Sequence, residues 1–136
     1  MKPRYSVPSM KQIADVPWNG ETVASTFSGA GGSSLGYRMA GFRVVYASEF
    51  VEAARETYTR NANSGTIIDS QDIRNLKGSD LLSAIGLGVG ELSVLDGSPP
   101  CASFSTAGSR HKSWGKVKGY SDTQQRTDDL FFEFAR

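Results

Sequence analysis

The sequence predicts an α/β fold built on a parallel sheet, and three observations carry that prediction. Segments rich in β-branched and apolar residues alternate with segments of helical period along most of the chain. Glycines cluster where a strand must turn straight into a helix, as in "SGAGGSS" (28 to 34). The stretch "LSVLDG" (92 to 97) is mostly apolar, as expected of a strand covered on both faces. Strand and helix in alternation give right-handed crossovers, and such sheets bind ligands beyond the carboxyl ends of their strands.

The elements follow in order. Residues 1 to 20 hold three of the five prolines and show no clear period, which reads as an arm running over the surface. "ETVASTF" (21 to 27) is the first strand, and Leu35 to Ala40 is the body of a short helix closed by Gly41. "FRVVYAS" (42 to 48) is a second strand, Val51 to Asn61 a second helix, and "GTIID" (65 to 69) a short third strand. A weaker helix covers Asp80 to Ile85 before the strand "LSVLDG". Residues 98 to 121 form a long loop with a basic cluster, Arg110, His111, Lys112, Lys116 and Lys118, around Trp114. In "DTQQRTDDLFFEFAR" Asp122 is placed as a cap, Gln125 stands at capping-box spacing, and Leu130, Phe131 and Phe134 share a face, so a helix is expected to pack there on the sheet.

Composition bounds the function classes. A chain of 136 residues is one domain at most. Apolar content of 38% with no long apolar run excludes a membrane span, and "MKPRYSVPSMKQIADVPW" lacks the apolar core of a secretory signal. One cysteine and one histidine cannot form an internal disulfide or assemble a zinc site, which suits a reducing cytoplasm. With a net charge of +1, any nucleic-acid partner must be met by local basic charge.

Chemistry has three candidate places. In the turn "FSGAGG", Gly29, Gly31 and Gly32 let backbone approach a ligand, and the helix that follows offers free N–H groups. Glu49, 17 residues after Gly32 at the end of the second strand, is placed to accept from the two hydroxyls of a ribose. The alternative is a turn that only packs helix on strand, with Glu49 a solvated strand end. Ser34 stands where a dinucleotide fingerprint has its third glycine, which demotes a nicotinamide or flavin cofactor without excluding a dinucleotide-binding module. Second, Cys101 follows a strand end, with Pro99 and Pro100 fixing the backbone before it. It is either a small buried hydrophobe or a thiol mounted to add to an electron-poor ring carbon. Third, "GSSLG" (32 to 36) has the spacing of a hydrolase nucleophile elbow at Ser34, with Asp69, Asp72 or Asp96 and then His111 in the hydrolase order.

Taken together, Phe27 to Gly32, Glu49, Asp72 with Ile73, and Gly97 to Ser105 resemble the DNA cytosine-5 methyltransferase family in order and spacing. "FSGAGG" (Phe27, Ser28, Gly29, Ala30, Gly31, Gly32) is similar to that family's loop for S-adenosylmethionine. Glu49 with Phe50 matches its ribose-binding acid and apolar neighbour, and Asp72 with Ile73 its pair at the adenine. "GSPPCASFS" resembles the catalytic loop, with Pro100 beside the cofactor and Cys101 as nucleophile, and Leu130 matches the helix that covers the cofactor. The resemblance spans roughly residues 22 to 136, with Ala102 where the family usually has glutamine.

The resemblance implies a Rossmann-like methyltransferase fold of strand order 3-2-1-4. It further implies double-stranded DNA as partner, with Ser103, Ser105, Arg110 and Lys112 along the phosphates, and a cytoplasmic protein of bacterial or phage-encoded origin. Later motifs of the family are not found. Residues 21 to 136 are therefore expected to be the first part of a catalytic domain, with a second chain or a longer product supplying the target recognition region. In the order 3-2-1-4 the strand "LSVLDG" would be an apolar edge in need of cover.

Overall fold

The computed structural model describes residues 6–101, 115, 117–120, 123–125 and 127–136. After a short helix α1 (Met10–Ala14), strand β1 (Thr22–Thr26) leads into helix α2 (Gly32–Met39) and strand β2 (Arg43–Ser48). Helix α3 (Glu52–Asn61), strand β3 (Ile67–Asp69), helix α4 (Gly78–Ile85) and strand β4 (Val94–Gly97) follow. All four strands run parallel in the order β3-β2-β1-β4, the fold class and order expected.

β1 is central and the most deeply buried strand, with Val23 and Ala24 at 0% exposure. Its second half turns polar, yet Ser25 and Thr26 are buried too, and β4 satisfies them. The Ser25 hydroxyl donates to the Asp96 carboxylate at 3.1 Å, and that of Thr26 to the Asp96 carbonyl at 3.3 Å. On one side of the sheet Ala24, Tyr46, Leu76 and Leu81 form a buried cluster. β4 pairs only with β1 among the described residues, and Leu95 on it is half exposed, so the expected apolar edge is present.

Two segments depart from expectation. The N-terminal stretch is not a featureless arm: Ser9 and Gln12 form a capping box that starts α1, whose Ile13 is buried. The segment beyond is pinned to the body, with the Asn19 N–H donating to the Gly41 carbonyl at 2.9 Å and the Arg43 guanidinium 4.0 Å above the Trp18 ring.

The C-terminal segment is the second departure. Strands β5 (Lys118–Tyr120) and β6 (Thr123–Gln125) pair antiparallel, and helix α5 covers only Leu130–Ala135. Gln125 is therefore in a strand rather than a capping box, Asp122 lies outside the described residues, and the residue at the N-cap is Asp129. The Thr-Gln-Gln run has no apolar stripe for a helix to bury, whereas pairing with β5 satisfies its backbone groups. Leu130 is buried as expected, but Phe131 is 53% exposed and is not on the packing face.

Candidate active site

Beyond the carboxyl ends of the strands lies a cavity of about 270 Å³. β1 delivers Phe27 to it with φ at +50°, the one described non-glycine residue in the left-handed region. A side chain held there is strained, and such strain clusters at ligand sites. The sharp exit directs the Ser28 N–H to the Ser48 carbonyl, at 3.1 Å, and the Ser28 hydroxyl to the same oxygen.

Glu49 is nearly buried and its carboxylate is fixed by backbone on both sides. One oxygen accepts from the Gly29 N–H at 2.8 Å and the other from the Val51 N–H at 2.7 Å. Each oxygen keeps a further lone pair for a donor in the cavity. Glu49 is thus not a solvated strand end. Phe50, beside it, lines the same space.

The loop between β3 and α4 brings Asp72 and Ile73, and α5 brings Leu130. The Arg74 guanidinium joins these two walls, contacting Asp72 at 3.0 Å and Asp129 at 2.8 Å. The hydrogen bond to Asp129 is the leading cause that raises its pKa, while burial opposes. From the end of α5, Arg136 donates to the carbonyls of Ile73, Arg74 and Leu76 at 2.9 to 3.1 Å. Pro100 also lines the cavity, and Cys101, the next residue, is exposed rather than a buried hydrophobe.

The structure therefore gathers Phe27, Glu49, Phe50, Asp72, Ile73, Pro100 and Leu130 around one space. It does not bring all of the glycine turn there. Ser28 and Gly29 stand behind Glu49, and Ala30, Gly31 and Gly32 line an adjacent cavity with Arg38 and Tyr58. At Gly31, with φ at +95°, a Cβ would sit 3.0 Å from the Tyr58 ring, so this glycine serves helix packing. The Tyr58 hydroxyl donates to Ser34 Oγ at 2.9 Å, and Ser34 is buried. That removes the nucleophile elbow, which needs its serine exposed at the crest of the turn. His111, Ser103, Ser105, Arg110 and Lys112 lie outside the described residues.

Sequence reasoning missed Ser48, Val51, Ala54, Gln71 and Ser98 in the cavity wall, and Arg74 and Arg136 behind it. Four of the five wall residues adjoin or nearly adjoin a named one, and that adjacency was the available signal. Chemically, a fixed carboxylate with spare acceptor capacity, apolar walls and a second carboxylate suit a vicinal diol joined to a flat ring bearing an amino group. The set of acceptors fits a nucleoside.

The family model for C-5 cytosine-specific DNA methylases matches residues 22–136. Type II methyltransferase M.Bsp6I of Bacillus sp. (strain RFL6) is 40% identical over 115 residues, 84% of this chain and 30% of that protein. Type II methyltransferase M.FnuDI of Fusobacterium nucleatum is 35% identical over 112 residues, 82% of this chain and 27% of that one. This chain thus spans under a third of the length of these curated relatives. Among solved structures, a DNA modification methyltransferase encoded within an E. coli prophage superposes with a TM-score of 0.52 at 29% identity, covering 62% of this chain and 24% of the other.

Proposed function

The chain belongs to the C-5 cytosine-specific DNA methylase family, and on that premise we propose that its cavity binds S-adenosylmethionine and that Cys101 is the nucleophile of cytosine-5 methylation in DNA. One observation carries the reading: Glu49, Asp72 with Ile73, and Leu130, from three separate parts of the chain, line a single cavity whose wall runs through Pro100 to the exposed Cys101.

In this reading Glu49 accepts from the ribose hydroxyls, its carboxylate held in place by the N–H groups of Gly29 and Val51. Phe50, Ile73 and Leu130 enclose the adenine, and Asp72 accepts from its amino group. Of the loop Ser28, Gly29, Ala30, Gly31 and Gly32, Gly29 acts on this end of the site through its bond to Glu49, and the last three residues line the neighbouring cavity. When bound, S-adenosylmethionine supplies an electrophilic methyl group.

The protein's own task is to make C5 of cytosine nucleophilic. The Cys101 thiolate forms a bond to C6 of a cytosine flipped out of the duplex, and electron density moves to C5. Once C5 has taken the methyl group, with the neutral thioether of S-adenosylhomocysteine as leaving group, a base removes the C5 proton, that electron pair restores the ring double bond, and the sulfur–C6 bond breaks to regenerate the thiolate. Pro99 and Pro100 restrict the backbone before the sulfur, so little entropy is lost on attack. Ser103, Ser105, Arg110 and Lys112 would lie along DNA phosphates. Target recognition and full activity fall to sequence outside this stretch or to a complementing chain, and the setting is the cytoplasm.

The test is a calorimetric titration of the folded 136-residue chain with S-adenosylmethionine and, in parallel, NADH. Binding of S-adenosylmethionine alone is expected. Binding of NADH alone would move the assignment to a dinucleotide-binding module, and binding of neither would refute the cofactor reading for this chain.

A further inference from the structure

We infer that Arg74 is a positioning residue of the cofactor cavity, holding the Asp72 carboxylate and the Leu130 wall at a fixed separation; the inference rests on reading that cavity as the S-adenosylmethionine site. Asp72 lies on the loop between β3 and α4, while Leu130 opens α5 far along the chain. Chain connectivity does not set their spacing. The Arg74 guanidinium does, by engaging a carboxylate on each side. Its Nη1 contacts both Asp72 oxygens at 3.2 and 3.0 Å, and its Nε and Nη2 reach Asp129, the residue before Leu130, at 3.1 and 2.8 Å.

Three features make this more than a surface ion pair. The side chains are only 26 to 32% exposed, so screening is incomplete. The planar fork fixes orientation as well as distance, which a lysine ammonium cannot do at both ends. The Arg74 backbone N–H also donates to Asp72 Oδ1 at 3.0 Å, while Oδ2, which accepts from Nη1 at 3.0 Å, keeps a further lone pair for a base amino group. Arg136 ties the far end of α5 to the same loop independently, through the carbonyls of Ile73, Arg74 and Leu76. Cutting Arg74 therefore leaves α5 docked but frees the end that carries Leu130.

The test is a double-mutant cycle read by calorimetric titration of the full chain with S-adenosylhomocysteine, using Arg74→Ala, Asp129→Asn and the pair, each checked for an unchanged circular dichroism spectrum. Arg74→Ala is expected to weaken affinity about tenfold, equal to about 1.4 kcal/mol. Asp129→Asn should weaken it less, and the double variant should bind no worse than Arg74→Ala. That non-additivity in cofactor affinity, measured on variants that stay folded, is what two groups acting through one contact produce, whereas independent effects would add. If Arg74→Ala does not fold, Arg74→Lys, which keeps the charge without the two-sided fork, takes its place under the same criteria. Wild-type affinity in the folded Arg74 variant, or additive losses, would overturn the inference and leave the cofactor reading standing. No binding by the wild-type chain would overturn both.

Discussion

Replacing Gly97 by alanine puts a methyl group where α5 now packs. Built on the present backbone, that carbon would lie 2.4 and 2.7 Å from two ring carbons of Phe134 and 2.7 Å from Thr26 Oγ1. Carbon atoms attract best at about 3.5 to 4.0 Å, so the overlap is about 1 Å. Thr26 sits in the buried central strand and cannot retreat. Phe134 can move only by turning its ring or lifting a helix that Arg136 fastens to the loop before α4. Gly97 is not in the left-handed region, so alanine brings no backbone strain and by itself would stabilise by roughly 0.4 to 1 kcal/mol. Overpacking of this kind costs about 1 to 3 kcal/mol, so the steric effect wins. With a net loss of about 1.5 kcal/mol and a urea slope of about 1.5 kcal/mol per M, the midpoint should fall by about 1 M. In a Phe134→Ala background the cost of Gly97→Ala should shrink, because the ring is gone. A midpoint at or above wild type, or an equal cost in both backgrounds, would show that α5 does not dock on the end of β4.

Three further outcomes are expected. Glu49→Gln keeps the shape but loses the charge, and by titration should weaken S-adenosylmethionine binding about 10-fold or more, the scale of a charge-assisted hydrogen bond; unchanged affinity would remove Glu49 from the ribose. Cys101→Ser should bind S-adenosylmethionine as the wild type does while an assembled enzyme carrying it transfers no methyl group to DNA, and retained transfer would end the nucleophile assignment. Burial first, and then the hydrogen bond to Asp69 and its charge, raise the Tyr46 phenol above its ordinary 10.0. Because the folded value lies above the unfolded one, this contribution is complete below pH 10 and is lost as pH rises beyond it. Urea midpoints should therefore fall more steeply above pH 10 in wild type than in Tyr46→Phe, and equal slopes would refute the assignment.

The parallel sheet, its ligand edge, and the glycine turn and acid at that edge were legible in local signals, whereas the strand order and the rest of the cavity wall followed from the family resemblance. The period of "ETVASTF" and "LSVLDG", the glycine turn and the acid at the end of the second strand each declare themselves within a few residues. Parallel strands joined by right-handed crossovers then have few arrangements open to them, so Glu49 and Cys101 had to meet at one edge. What local signals suggest equally for two outcomes, they could not decide. Gly29 and Gly31 look alike in "SGAGG", yet one N–H fixes Glu49 and the other residue makes room for Tyr58. Ser34 had the spacing of a nucleophile until a tyrosine 24 residues away covered it.

Charge pairs across long separations were also invisible. Arg74 is one of 15 basic residues, and nothing near it in sequence says that its partner besides Asp72 is Asp129. The same holds for the C-terminal segment, where pairing with β5 overrode a capping pattern that was locally sound. By itself, then, the sequence determined the alternating strands and helices from β1 to β4 and which chemical groups reach their ligand edge, through backbone propensity and hydrophobic period. Only the tertiary structure decided which glycine contacts what, which serine is buried and which arginine joins the two walls, because those depend on side chains that meet only after the sheet has closed.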